Sequence, residues 1–182
     1  MQRMAFPLLC LALVACTKQG ELSVVDPRVS TIHINEVFAV GSFDEDELEG
    51  TGDWLELFNA GPTVHLGTGE WFLTDERDDL LKFELSDITL HERELLRVWC
   101  DGLGSEDGDG IHASFRLANQ GEWLALVHVM NGKASIIDSV RYAQQDVEDE
   151  LSTSRYPDGG RTWLNSTLPT PGGSNEVSAK IQ

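Results

Sequence analysis

The chain has 182 residues, with 31 Asp and Glu against 13 Lys and Arg, which gives a formal net charge of −18. A surface this acidic repels nucleic-acid phosphates and anionic lipid headgroups, so both are excluded as main partners. It suits soluble display, divalent cations or a basic partner, and the length fits one domain with its own core.

Residues 1–15 have the pattern of a secretory signal peptide. Arg3 supplies one positive charge, and residues 4–15 carry no charge and are mostly apolar. This apolar stretch is too short to span a bilayer whose hydrocarbon core is roughly 30 Å thick. The sequence therefore predicts export followed by removal of this segment.

Residues 13–16 (LVAC) resemble the bacterial lipobox, an L-x-x-C pattern at the end of a signal peptide. The resemblance implies cleavage before Cys16 and lipidation of that residue, and two or more acyl chains anchor a protein stably. Thr17 follows the cysteine, where an aspartate would resemble an inner-membrane retention signal, and this favours the outer membrane, on its periplasmic or surface face. Residues 16–30 then combine the lipidated cysteine with a flexible tether that extends to roughly 45 Å.

The pattern after residue 30 is that of β-strands throughout. In residues 31–40 (TIHINEVFAV), Ile32, Ile34 and Phe38 are predicted on one side of a strand and His33 and Asn35 on the other. Seven more short segments have a strand pattern: 53–59, 70–74, 82–85, 94–100, 112–117, 122–130 and 134–142.

Turn-forming residues separate most of these segments. The strongest hairpin signal is Asn131-Gly132, because both residues accept the positive φ angles of a type I′ turn. No segment shows a sustained helical stripe. Several short strands spaced by turns predict an all-β fold, either a sandwich or a barrel.

Nine motifs, in order, resemble those of the lamin-tail domain family. They are INEV at 34–37, DWLELFN at 53–59, EWFLTD at 70–75, LLRVWCD at 95–101, HASFRL at 112–117, GE at 121–122, DSV at 138–140, RYPDG at 155–159 and TPGGSN at 170–175. The resemblance implies an immunoglobulin-like β-sandwich over residues 31–175. The tail at 176–182 follows a Pro/Gly-rich stretch and is predicted to be disordered. Members of the family in bacteria are thought to mediate binding or attachment.

Three carboxylates lie in strands that would be neighbours in the resembling fold: Glu36, Asp53 and Glu56. Side chains three apart on a strand face opposite sides, so only one of Asp53 and Glu56 can join Glu36. A structural role for them is accepting backbone N–H bonds at a strand end or pairing with an arginine such as Arg155. The alternative is a Ca²⁺ site, since hard oxygen ligands suit that ion.

A second candidate Ca²⁺ site is the loop at 101–110 (DGLGSEDGDG). Asp101, Glu106, Asp107 and Asp109 are interleaved with glycines that let a backbone fold around an ion. The spacing departs from the EF-hand pattern, which favours a flexible solvated loop.

No catalytic motif stands out in the sequence. The five histidines lack zinc-site spacing, and no G-x-S-x-G elbow is present. Cys100, the only cysteine after residue 16, is predicted to be a buried structural thiol because its neighbours offer no electropositive setting. The five tryptophans are predicted to pack in the core, with an exposed row for carbohydrate stacking as the alternative.

These observations predict a lipid-anchored, non-enzymatic envelope or cell-surface module that binds a protein or glycan partner and is stabilised by calcium if either acidic site is occupied. One alternative is a structural envelope lipoprotein without a discrete ligand. Another is a hydrolase that acts through paired carboxylates such as Glu36 and Asp53.

Overall fold

The described part of the chain folds into β-strands joined by turns. A computed structural model describes residues 31–39, 52–85, 87–107, 110–145, 151–166 and 168–176, and no α-helix occurs within these ranges. The strands are β1 Ile32–Phe38, β2 Trp54–Asn59, β3 Val64–Leu66, β4 Trp71–Thr74, β5 Phe83–Leu85, β6 Ile88–Leu90, β7 Leu95–Trp99, β8 Ser105–Asp107, β9 Gly110–His112, β10 Trp123–Met130, β11 Lys133–Arg141, β12 Ser152–Tyr156 and β13 Thr162–Ser166. The predicted all-β class is confirmed.

The described strands form three sheets. The largest has seven strands in the order β13-β12-β1-β2-β7-β9-β8. A second has four in the order β11-β10-β4-β5, and β3 pairs with β6 in a third. Pairing is antiparallel except between β7 and β9, which run parallel. Strands distant in sequence therefore lie side by side in the largest sheet.

One hydrophobic cluster receives side chains from all three sheets. It includes Ile34 and Leu57 of the seven-stranded sheet, Leu73 and Leu126 of the four-stranded sheet, and Leu66 of the small sheet, each with no exposed surface. Burying a side chain of this size contributes about 1.5–3 kcal/mol. The packing of the sheets against this shared core holds them together.

The β10–β11 hairpin turns as the sequence predicts. Asn131 and Gly132 have φ angles of 53° and 73°, both in the left-handed region, and they separate the paired residues Met130 and Lys133. Positive φ at both central positions is the signature of a type I′ turn.

Most of the predicted strands are present, with differences where local patterns mislead. The predicted strand at 112–117 is wrong beyond His112, because residues 113–117 contribute only the isolated bridge between Arg116 and Asp101. The loop at 101–110 contains strand β8, which pairs with β9. The glycines in this loop favoured the prediction of a loop without a strand. Strands β3, β6, β12 and β13 were not predicted.

The alternation predicted for β1 is correct only as far as Ile34. A register irregularity between Ile34 and Glu36 changes the phase of the strand, so Val37 enters the core instead of Phe38. Phe38 stacks on Trp54 of β2, with ring centroids 5.5 Å apart. The same bulge turns Glu36 away from the core.

Candidate functional site

Two glutamates lie opposite each other in the middle of the seven-stranded sheet. Glu36 of β1 and Glu56 of β2 are direct cross-strand partners, and neither has any exposed surface. Side chains in such positions have Cβ atoms about 4.5–5.5 Å apart. Leu55 and Leu57 enter the core on either side of Glu56, so the carboxylates occupy the opposite face of the sheet.

A segment near the C-terminus covers this carboxylate pair. Residues 168–176, here called the closing segment, follow β13 and contact both glutamates. The Thr170 hydroxyl lies 2.8 Å from Glu36 Oε2, and the Thr170 backbone N–H donates to both Glu36 oxygens at 3.3 Å. The Gly172 backbone N–H donates to Glu56 Oε1, and the Ser152 hydroxyl donates to Glu36 Oε1 at 2.6 Å.

Burial changes the proton affinity of both carboxyl groups. Desolvation raises the pKa of Glu36 above its ordinary value, against the opposing hydrogen bonds from Ser152 and Thr170. Desolvation also raises the pKa of Glu56 from its ordinary 4.5 to about 7, and the charge of Glu36 adds to this rise. Glu56 Oε2 has no hydrogen-bond partner, although it is buried. The pair therefore favours a protonated state.

A polar cluster extends from the carboxylate pair to the turn after β12. The side-chain amide of Asn35 donates to Asp158 at 3.0 Å and accepts from the Gly159 N–H at 2.9 Å. The Asn175 N–H donates to Asp158 at 3.0 Å, and its side chain donates to the carbonyls of Asn35 and Arg155. These bonds fix the end of the closing segment against β1 and β12.

Gly159 is required by close packing in this turn. Its φ angle is 67°, and a Cβ atom there would lie 3.0 Å from the ring of Phe58 and 3.2 Å from that of His33. A larger residue would meet both a backbone penalty and a steric one. The glycine therefore lets the turn lie flat on β1 and β2.

An ion pair between buried Arg155 and half-buried Asp138 joins the seven-stranded sheet to β11. The Arg155 guanidinium donates to both oxygens of Asp138 at 2.9 Å and to the Ile34 carbonyl at 2.7 Å. Asp138 also accepts the Ile34 N–H at 2.8 Å. Although burial opposes it, the hydrogen bond from His33 and the charge of Arg155 hold the pKa of Asp138 below its ordinary value. Arg155 thus pairs with Asp138 and not with Glu36 or Asp53.

Two of the three candidate ligands of the first Ca²⁺ site come together and the third does not. Glu56 is the residue that lies opposite Glu36, in agreement with the prediction that only one of Asp53 and Glu56 can do so. Asp53 lies immediately before the first residue of β2, and its backbone carbonyl accepts the Cys100 N–H at 2.8 Å.

The candidate ligands of the second Ca²⁺ site are partly placed. Asp101 interacts with the Nδ1 of His112 and accepts the Leu103 N–H at 3.0 Å. The backbone of Glu106 and Asp107 forms part of β8, and Asp109 lies outside the described residues. Among the described residues, no group of three or more His, Cys, Asp or Glu side chains is arranged to hold a metal ion.

Cys100 is buried, as predicted, and burial raises the pKa of its thiol well above the ordinary value. A protonated buried thiol is chemically inert under ordinary conditions. Cys16 and the whole of residues 1–30 lie outside the described residues, as does the tail from residue 177.

The tryptophans are mostly core residues, as predicted. Trp54, Trp71 and Trp123 are buried, whereas Trp99 and Trp163 are partly exposed. Arginine side chains lie over three of the rings, at 4.3 to 4.5 Å from the ring centroids: Arg77 over Trp123, Arg97 over Trp99 and Arg155 over Trp163. Cation–π contacts of this kind stabilise a surface by about 0.5–1 kcal/mol each.

The sequence identified Glu36 as a candidate and left open whether Asp53 or Glu56 joins it, and it did not indicate what binds the pair. The closing segment and Asp138 belong to motifs that resemble the lamin-tail family, but the sequence indicated no structural role for them. A signal was present for Asp138, since a charged residue in a predicted strand needs a partner when it is buried. Its partner, 17 residues away at Arg155, follows only from the fold.

No protein-family model matches this chain, and no curated protein is similar to it at a significant level. Within the part of the chain that the structure describes, there is no helix with the length and apolar character needed to cross a membrane.

Proposed function

We propose that this chain is a lipid-anchored, non-enzymatic binding or attachment module of the bacterial envelope or cell surface, built on an immunoglobulin-like β-sandwich of the lamin-tail kind. The chain is held at the outer membrane through Cys16 and uses its folded domain to bind a protein or glycan. The lipobox-like residues 13–16 support the anchor, and the ordered motifs support the domain type.

One observation is the main support for the proposed type of domain. Four of the motifs that resemble the lamin-tail family, INEV, DWLELFN, RYPDG and TPGGSN, meet in the hydrogen-bonded cluster around Glu36 and Glu56. Residues up to 140 positions apart take part in it. Motifs that matched by chance would have no reason to converge, so the convergence supports a shared fold signature.

The sheets support the sandwich form of the fold. The seven-stranded and four-stranded sheets both contribute to one hydrophobic core, the arrangement in which inner faces interdigitate. The Arg155–Asp138 pair adds a polar connection between them.

The position of the carboxylates supports a non-enzymatic role. Glu36 and Glu56 would be the natural pair for a hydrolase, yet both are buried and bonded to the closing segment. A glycosidase pair must reach a substrate on both sides of its scissile bond. These carboxylates instead hold the chain's own backbone.

The anchor is tested by expressing the full chain and its Cys16→Ser variant in a Gram-negative host. We expect lipid-modified wild-type protein in the outer-membrane fraction and unmodified variant in the soluble fraction. Mass spectrometry of the N-terminal peptide measures the modification directly. Equal membrane association of both proteins, without lipid on Cys16, would contradict the anchor.

The binding role has its own test, a cross-linked pull-down from native envelope with the processed chain. A double variant, Leu103→Ser with Ile136→Ser, removes exposed apolar contact area without disturbing the core, because these side chains are 63% and 47% exposed. Reproducible recovery of one protein or glycan supports a binding module. Recovery of no partner favours the alternative, a structural lipoprotein without a ligand.

Calcium stabilisation is tested by thermal unfolding with millimolar Ca²⁺ and with EDTA. A ligand that binds only the native state raises the melting temperature. We propose calcium stabilisation as a separate element of this function, and equal melting temperatures in the two buffers would remove it and leave the anchor and the binding role intact.

A further inference from the structure

The contacts around Thr170 require one more hydrogen than the ionised side chains supply. The Thr170 hydroxyl oxygen lies 2.8 Å from Glu36 Oε2 and 2.7 Å from Asn175 Oδ1. A hydroxyl group has one hydrogen to donate. The Asn175 oxygen has none, and the amide cannot be reversed without loss, because its nitrogen donates to two backbone carbonyls at 3.2 and 3.0 Å.

The hydrogen count is satisfied if Glu36 is protonated. Glu36 Oε2 then donates to the Thr170 hydroxyl, which in turn donates to Asn175 Oδ1. With an ionised Glu36, one of these two close contacts would place two acceptor oxygens together without a hydrogen between them. The geometry alone therefore calls for a proton at this site.

Glu56 leads to the same requirement independently. Its Oε1 accepts the Gly172 N–H, but its buried Oε2 has no partner. A buried ionised carboxylate with one unpartnered oxygen is costly, and the cost is greater whenever Glu36, directly opposite, is also ionised. Two carboxyl groups this close titrate as a pair.

We propose that the Glu36–Glu56 pair holds a proton in the folded protein and thereby fastens the closing segment, so that this segment opens more readily as the pH rises. The device is independent of which partner the domain binds. Protonation favours the closed form because closing the segment takes the two carboxyl groups out of water.

The surrounding charges do not cancel this effect. Arg97 from β7 lowers the pKa of Glu56, whereas Glu36 from β1 and Asp158 from the turn after β12 raise it. Asp158 also raises the pKa of Glu36. The closing segment presents only the uncharged Thr170 and Gly172 to the pair. Asp158, joined by Glu36 whenever that group is ionised, thus opposes the one exposed arginine.

The size of the effect follows from linkage. The raised pKa of Glu56, about 7 against an ordinary 4.5, corresponds to a factor of about 300 in proton affinity. If opening returns Glu56 to water, the opening equilibrium increases by at most that factor as the pH rises through this range. The change is complete above the folded-state pKa.

The test is hydrogen exchange measured by mass spectrometry on the full processed chain in neutral detergent, from about pH 5.5 to about pH 8.5. Rates in peptides covering residues 168–176 are corrected for the intrinsic effect of pH. We expect the protection of the wild-type segment to fall at least tenfold over this range. Glu56→Gln keeps the shape without ionising, so its protection should change much less.

Glu92→Gln is the matched control, because it makes the same change at an exposed position. It should behave as wild type. Protection of the closing segment that is independent of pH in wild type, or an unchanged pH slope in Glu56→Gln, would overturn the proposal.

Infrared difference spectroscopy of wild type against Glu36→Gln keeps the proposal testable if Glu56→Gln does not fold. A protonated-carboxyl band at about pH 6 that disappears with rising pH is expected. Its absence at that pH would also overturn the proposal.

Discussion

Replacing half-buried Asp138 with asparagine removes the negative partner of buried Arg155 while keeping the shape of the side chain. Wild-type Asp138 accepts two bonds from Arg155 and one from the Ile34 N–H. The single oxygen of the substituted amide cannot replace all of these acceptors, and its NH₂ group would face other donors. We therefore expect a large loss of stability from Asp138→Asn.

The magnitude follows from the burial of Arg155, which is 7% exposed. Removing one partner of a buried pair leaves an uncompensated charge and costs about 3–5 kcal/mol. Urea unfolding followed by tryptophan fluorescence at about pH 7 measures the free energy of unfolding. Asp78→Asn, the same change at an exposed position, should stay within about 0.5 kcal/mol of wild type.

The coupling between the partners gives the sharper measurement. Arg155→Met removes the charge, so the double variant with Asp138→Asn should lose at least about 2 kcal/mol less than the sum of the single variants. Additive losses, or a loss under about 1 kcal/mol for Asp138→Asn alone, would refute this explanation of the ion pair.

The pH dependence has a definite sign. Because the folded-state pKa of Asp138 is lowered, its stabilising contribution is complete above the ordinary value of 3.8. It is lost as the pH falls through the lowered folded-state value. The difference between wild type and Asp138→Asn should therefore shrink in acid.

Three further predictions concern other buried polar groups. Because the pKa of Glu56 is raised to about 7, its contribution to stability is complete below pH 4.5 and is lost as the pH rises through about 7. Wild type should therefore lose up to about 3 kcal/mol of unfolding free energy between these pH values, and Glu56→Gln should not show this loss. Urea unfolding across the pH range measures it. Asn59→Ala should cost about 2–4 kcal/mol of stability, measured by thermal unfolding. The Asn59 amide donates to the backbone carbonyls of residues 62, 90 and 91, and a smaller side chain leaves them unpaired. A loss under about 1 kcal/mol would contradict this. Cys100 should resist iodoacetamide in the folded chain and react after unfolding in urea, as measured by peptide mass spectrometry, and rapid labelling under native conditions would contradict its burial.

The strand pattern was predictable where local physics decides it. Alternation and turn residues predicted β2, β4, β7, β10 and β11, and Asn131-Gly132 predicted their clearest hairpin turn. Strands β12 and β13 were not predictable from alternation because their residues, such as STSRY at 152–156, are polar along most of their length. Polar residues can be buried in a strand only when partners from elsewhere satisfy them.

The candidate site was predictable only in part. The spacing of Asp53 and Glu56 shows that they cannot both join Glu36, but not which of them does. The bulge after Ile34 was not predictable, because it depends on how β1 pairs with β2 and not on the residues of β1 alone. That irregularity turns Glu36 away from the core and brings Val37 in.

Composition and local spacing thus predict the all-β class, the main turns, export by a signal peptide and anchoring at Cys16, since each depends on residues close together in the chain. The protonation and covering of the carboxylate pair depend on Thr170 and Gly172, which lie 134 and 116 residues away from the glutamates they contact. Contacts at such separation arise from the folded chain, where burial raises the energy of a charge and decides which groups carry a proton.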